Sequence, residues 1–156
     1  MQRSGDADLV EAMVLASRAL VAVAARSVSA MPGEVTLPQF RVLVVLATRG
    51  PQHLAPLADE LKVVPSSMTR LAERLESKGL VSRAEVQGDR RQVQLRVTKD
   101  GRRVVDQVTS ERRAEFDRLV EAIPQGQRPV LTEALRLMGR AAGEVPEQAW
   151  SVGWGE

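Results

Sequence analysis

The chain has no cysteine and no tyrosine, a single histidine, and an aromatic share of 3%. Without thiols there is no disulfide, no thiol redox sensing and no cysteine nucleophile. One histidine, His53, and no cysteine also leave too few nitrogen and sulfur ligands for a zinc or nickel site, although acid pairs such as Asp59/Glu60 exist. No nucleophile–base pairing and no phosphate-cradling glycine loop stands out, so no catalytic residues, metal or cofactor are expected and the chain reads as a non-enzyme. His53 falls between two helical stretches and reads as a polar loop residue rather than a proton switch. No apolar run approaches the ~20 residues of a membrane span. The opening "MQRSGDADLVEAM" lacks the continuous apolar stretch of a secretion signal. A cytoplasmic protein without a membrane partner is the expectation.

What is present is an ordinary globular composition with an uneven charge distribution. The 156 residues are 44% hydrophobic and 27% charged, which suits one domain with a real core. The net charge is only +2, yet residues 62–103 hold eleven Lys or Arg against five acids, a local charge of +6. The remainder of the chain is therefore at −4. A basic segment in an otherwise acidic molecule points to a focused polyanion site, against the plainer reading of a solvated basic surface.

Helical spacing of Leu9, Ala12, Met13, Ala16, Ala19, Leu20, Val23 and Ala24 predicts one long helix over 7–31, with Pro32-Gly33 as its stop. Val10, Val14, Val21 and Val28 add a second apolar stripe, so this helix needs two packing partners, and a second chain can supply one of them. Thr36 and Gln39 form a capping-box pattern ahead of a second helix that stops at Gly50-Pro51. A short helix follows over about 55–62, and "PSSMTRLAERLESKG" reads as the next, with Pro65 at its first position and Gly79 at its end. "LVSRAEV" and "QVQLRVT" alternate as two strands of a hairpin around "GDRR". Thr98 caps a long helix to about Ile123, and a last helix covers about 127–142. The fold expected is mainly α with a small β-hairpin wing. A winged helix-turn-helix lobe is joined to a helical dimerisation region, and the second helix of the motif is set for a DNA major groove.

Advancing roughly 100° per residue along that second helix gathers Met68, Leu71, Ala72 and Leu75 on one face. Ser66, Arg70, Glu73, Arg74 and Ser77 lie almost opposite, with Ser67 and Thr69 on the flanks. Hydroxyls and free N–H groups at a helix start take phosphates, and an arginine one turn later pairs with guanine O6 and N7. Ser66, Ser67, Thr69, Arg70 and Arg74 are therefore the candidate DNA contacts. Glu73 is left to pair with Arg70 or to meet cytosine.

Leu57-Ala58, Thr69-Arg70-Leu71, Leu75-Glu76-x-Lys78-Gly79-Leu80-Val81, Asp89-Arg90-Arg91 and Leu95-x-Val97-Thr98-x-x-Gly101 together resemble the DNA-binding lobe of the MarR (multiple antibiotic resistance regulator) family. The resemblance covers about residues 7–142. It implies a winged-helix lobe over 36–98 and dimerisation helices over 7–31 and 99–142; the C-terminal tail over 143–156 shows no clear period and reads as irregular. It further implies a homodimer that reads a palindromic operator in double-stranded DNA, commonly as a repressor released by a small, often aromatic, acid. Carried over residue by residue, Arg91 is the minor-groove arginine and Asp89 the wing aspartate that holds it; Arg90 occupies the variable position between them and is expected to stay nearer phosphate. An effector would border Met13, Ser17, Phe40 and Val44. The residue before Pro65 is Val64 where a polar cap is usual in the family, and Gly88 stands where a bulkier polar residue is often found. Oxidant sensing by cysteine, found in one branch of the family, has no thiol to work with. The competing reading is a winged helix that serves as a protein–protein interaction module without operator binding.

Overall fold

Local capping chemistry sets the turns of the chain. A computed structural model of the protein describes residues 2–30, 35–86 and 89–144, with the backbone alone at residues 2–4, 85–86 and 89–93. Helix α1 spans Gln2–Ser29, beginning before the apolar period does and ending two residues short of its expected limit. Its expected stop, Pro32-Gly33, lies outside the described residues. Thr36 caps α2 (Leu37–Arg49): its hydroxyl accepts the Gln39 N–H at 3.4 Å, and the Gln39 side chain accepts the Thr36 N–H at 3.1 Å. Two donors that a helix start leaves orphaned are thereby satisfied reciprocally.

After Gly50 the chain forms a two-residue strand, β1 (Gln52–His53), and enters α3 (Leu54–Leu61), which carries Pro56 in its first turn. The helix-turn-helix corner is made by Lys62, a non-glycine residue at φ 55°, with Val63 N–H reaching back to the Ala58 carbonyl at 3.0 Å. Helix α4 (Pro65–Ser77) starts without a side-chain cap at Val64, and proline at N1 removes one donor that would need it. Gly79 at φ 69° closes α4, and Leu80 N–H bonds the Leu75 carbonyl at 2.9 Å. This is the paired bonding of a Schellman end, which brings Leu80 over Leu75.

Strands β2 (Val81–Val86) and β3 (Asp89–Val97) form the expected antiparallel hairpin, with Val81 opposite Val97 and Arg83 opposite Leu95. β3 begins at Asp89, three residues before the alternation does. The sheet has three strands in the order β1-β3-β2, because Gln52 and His53 pair with Leu95 and Gln94. His53 is thus a strand residue, with its ring nitrogen 3.2 Å from the Gln94 amide, and not a loop residue. Two residues carry no period to read, which hides such a strand from sequence.

Thr98 caps α5 (Lys99–Glu121) by accepting the Gly101 N–H at 3.1 Å. A single 3-10 turn at Gln125–Gln127 leads into α6 (Arg128–Ala141). The core lies inside the lobe, where Leu43, Leu46, Leu57, Met68, Leu75 and Leu95 are fully buried, and it extends to Val105 and Val108 of α5. Arg26 of α1 grips Glu115 of α5 with two nitrogens, Nε at 3.2 Å and Nη2 at 2.7 Å. Those hydrogen bonds hold the Glu115 carboxyl below the usual carboxylate range. That pair ties α5 to the C-terminal half of α1, while the N-terminal half of α1 and α6 stand largely bare. No described helix is long and apolar enough to cross a membrane.

Candidate nucleic-acid interface and adjoining cavity

Helix α4 buries one face and presents the other. Met68, Ala72 and Leu75 are buried, Leu71 is half-buried, and Ser66, Arg70, Glu73, Arg74 and Ser77 are exposed. Ser67 and Thr69 are half-buried on the flanks. The Thr69 hydroxyl donates to the Pro65 carbonyl at 3.1 Å, so its oxygen is left as an acceptor and its proton is engaged. Among the described residues neither Arg70 nor Arg74 has a salt-bridge partner, and Glu73 does not pair with Arg70. The acid of α4 that does pair is Glu76, which takes Arg83 of β2 at 3.0 Å and ties the helix to the wing. Sequence offered no signal for this contact, because the two residues meet only after the turn at Gly79.

The wing ladder is regular from Val81 to Glu85 and then shifts. Glu85 faces Val93 while Val86 faces Asp89, which takes Arg90, Arg91 and Gln92 of β3 out of the paired register. The backbone of Asp89, Arg90 and Arg91 thus lies near the hairpin end; their side chains, and the proposed Asp89–Arg91 bond, lie outside what is described. Two arginines at a ladder irregularity, within the basic segment 62–103, suit a polyanion better than a protein core.

The chain carries the parts of a DNA reader in their working order: a buttressed helix with a bare basic face, and a wing joined to it by an ion pair. Its residues 35–93 match the sequence model of the MarR family. A solved structure, RV1404 from Mycobacterium tuberculosis, is 40% identical and superposes with a TM-score of 0.84 over 89% of this chain and 95% of that one. The chain belongs to the MarR family. MdtR from Bacillus subtilis, an HTH-type transcriptional repressor, is 32% identical over 58% of this chain and 59% of its own. A MarR family protein from Bacillus stearothermophilus shares the fold, with a TM-score of 0.79 at 23% identity over 92% of this chain and 99% of that one. As a MarR-family protein this is a DNA-binding transcription regulator, and at the level of the family it is not an enzyme.

Between the MarR lobe and the long helices lies a cavity of about 640 Å³. Phe40 and Val44 of α2 line it, together with Leu61, Val63 and Leu71 of the helix-turn-helix, so it touches the back of the recognition helix. Met13 and Ser17 do not line it: both are exposed on α1, and the Ser17 hydroxyl is spent on the Val14 carbonyl at 2.7 Å. The α1 residue at the cavity is Ala24, which at 1.5 Å per residue lies roughly 10 Å along the helix from Ser17. The polar lining that sequence reading missed is Arg41, Thr109, Arg112 and Glu144. Arg112 sat on the side of α5 that an apolar period ignores, and Glu144 fell in what looked like an irregular tail.

Proposed function

We propose that this protein is a ligand-responsive repressor that binds a palindromic operator as a homodimer in the cytoplasm. The observation that carries the reading is the exposed face of α4, where Arg70 and Arg74 stand without salt-bridge partners beside Ser66 and Ser67. In this reading Ser66, Ser67 and Thr69 position the helix on phosphates, Arg70 and Arg74 read the major groove, Arg91 enters the minor groove, and Arg90 stays on phosphate. The repressor named among the relatives supports the direction of regulation. The cavity behind α4 supports ligand response, because a ligand touching Leu71 and Val63 shares a wall with the recognition helix.

Surface supports the dimer. Large apolar side chains are bare on the first and last helices: Leu15 is 67% exposed on α1 and Val130 74% on α6. A surface of that kind marks an extensive interface. Light scattering at micromolar concentration is expected to return about twice the 17.0 kDa chain mass. A monomer that still binds operator tightly would sink the dimer.

The wing gives a second test. Narrow A·T-rich minor grooves hold the strongest negative potential. Arg91→Ala is therefore expected to weaken binding more on an A·T-flanked operator than on a G·C-flanked one. Arg90→Ala should weaken both alike and lower the salt slope by about one unit per phosphate contact. Titrations of both variants on both operators at several salt concentrations separate the roles. Parent-like behaviour of Arg91→Ala would remove the wing from groove readout. Salt-tolerant partner binding with no affinity for DNA would favour the protein-interaction reading instead.

A further inference from the structure

The cavity walls are mostly apolar, and the charged groups among its lining residues are two cations and one anion: Arg41, Arg112 and Glu144. Arg112 is the poorer provided. Its Nε reaches the Ser27 hydroxyl at a long 3.4 Å, its guanidinium lies 5.3 Å from the Phe40 ring centre, and among the described residues no carboxylate pairs with it. Burial first, and then the nearby Arg41 charge, hold it below the usual arginine range. A cation in that state gains from any anion brought to it.

Arg41 has an anion already, and its source is unusual. Glu144 follows the last turn of α6, and its carboxylate sits 2.5 Å from Arg41 Nη2. A Schellman end aims it there: Gly143 takes φ 74°, its N–H bonds the Arg140 carbonyl, and the Glu144 N–H reaches back to the Gly139 carbonyl at 3.0 Å. Arg49 of α2, itself paired with Glu60, also donates to the Gly143 carbonyl at 3.1 Å. Backbone bonds therefore deliver Glu144 to the cavity whether or not its side chain is charged.

We infer that Glu144, at the capped end of α6, is a built-in counter-ion that competes with an acidic ligand for Arg41 and is displaced when that ligand brings its own carboxylate. The inference rests on the reading that the cavity takes an effector, and it adds how that effector is recognised and resisted. The ligand exchanges one carboxylate for another at Arg41 and supplies Arg112 with the anion it lacks. Guanidinium forks favour a planar carboxylate over a neutral isostere. The apolar walls take the body of the acid. Displacement also frees α2 from one of its two ties to the end of α6, which links the cavity to the helices that carry the bare apolar surface.

Both partners of the Arg41–Glu144 pair are about half exposed, 47% and 48%. Such pairs are weak, so the competition is worth about two- to fivefold in affinity. The test is calorimetric titration of the full chain with 1-naphthoate, benzoate and the neutral 1-naphthamide. Glu144→Gln is expected to bind the acids about threefold tighter than the parent, and Glu144→Lys tighter again, with the amide unmoved. Arg112→Gln should lose about tenfold or more for the acids alone. Arg41→Gln, a change at an exposed side chain, repeats that test should Arg112→Gln prove unstable. Acid affinity indifferent to residue 144, amide binding equal to acid binding, or no acid binding even by Glu144→Lys would each overturn the inference. Operator titration without acid is read separately. A chain that binds acids in the expected order but no DNA keeps this inference and sinks the regulator reading, and the converse pattern sinks this inference alone.

Discussion

Gly101→Ala is expected to destabilise the protein by about 3 kcal/mol or more, although alanine is the better helix former. Intrinsic propensity favours the substitution by about 1 kcal/mol. Sterics oppose it. A Cβ at Gly101 would lie 2.1 Å from the Leu80 carbonyl oxygen and 2.9 Å from Val97 Cγ2. The first obstacle is backbone, and it is pinned, since the Leu80 oxygen accepts the Thr98 N–H at 3.1 Å. Thr98 is fixed in turn: its hydroxyl donates to the Gly79 carbonyl at 2.7 Å and accepts the Gly101 N–H at 3.1 Å. The turn after α4, the end of β3 and the first turn of α5 therefore meet at a point with no room for a methyl group. Forcing one in shifts all three, and overpacking of that kind reaches the upper end of its usual cost. For a domain of this size the melting temperature should fall by about 6–12 °C. The measurement is thermal or urea unfolding of the variant beside the parent. A variant as stable as the parent would mean that α5 can slide away from the lobe without penalty.

That junction was only half legible in the sequence. Thr98 as a helix cap follows from residue type and position, as do the Thr36–Gln39 box, Pro65 at N1 and Gly79 at a helix end. These signals act within four residues, and local chemistry is enough to read them. The Leu80 carbonyl over Gly101 spans twenty-one positions, and no local rule announces it. The same division runs through the functional regions. The angular reading of α4 placed Met68, Ala72 and Leu75 inward and Arg70 and Arg74 outward, as found, because a buttressed helix obeys its own period. The cavity obeys none: Arg41 of α2, Arg112 of α5 and Glu144 just past α6 meet only through the packing of α2 against α5 and the returning end of α6. Phe40 and Val44 line it from α2, whereas Met13 and Ser17 lie farther along α1 and do not. Gly143 and Glu144, read as the start of a loose tail, are the working cap of α6.

The largest effect on DNA binding is expected from Arg70→Ala, because the proposed homodimer carries the change twice. Arg70 is exposed, one turn into α4 from Ser66, and has no ion pair among the described residues to give up. Its backbone is held rigidly, since Met68 and Ala72 on either side are fully buried and α4 is tied to the wing through Glu76 and Arg83. A rigidly presented arginine with no internal partner loses little on meeting a guanine edge, so the contact delivers most of its value. Losing one base contact costs about 1–3 kcal/mol per half-site, hence about 2–6 kcal/mol for the dimer, roughly 30-fold to 10⁴-fold in affinity. The loss should fall on one base position in each half-site, where the variant no longer distinguishes guanine. The salt slope should stay close to that of the parent, because no phosphate contact has gone. A duplex pool selected by the parent protein, retitrated with the variant at two salt concentrations, reads both quantities. A uniform loss over all sequences with a slope lower by about two units would make Arg70 a phosphate contact, and sequence reading by α4 would then fall to Arg74.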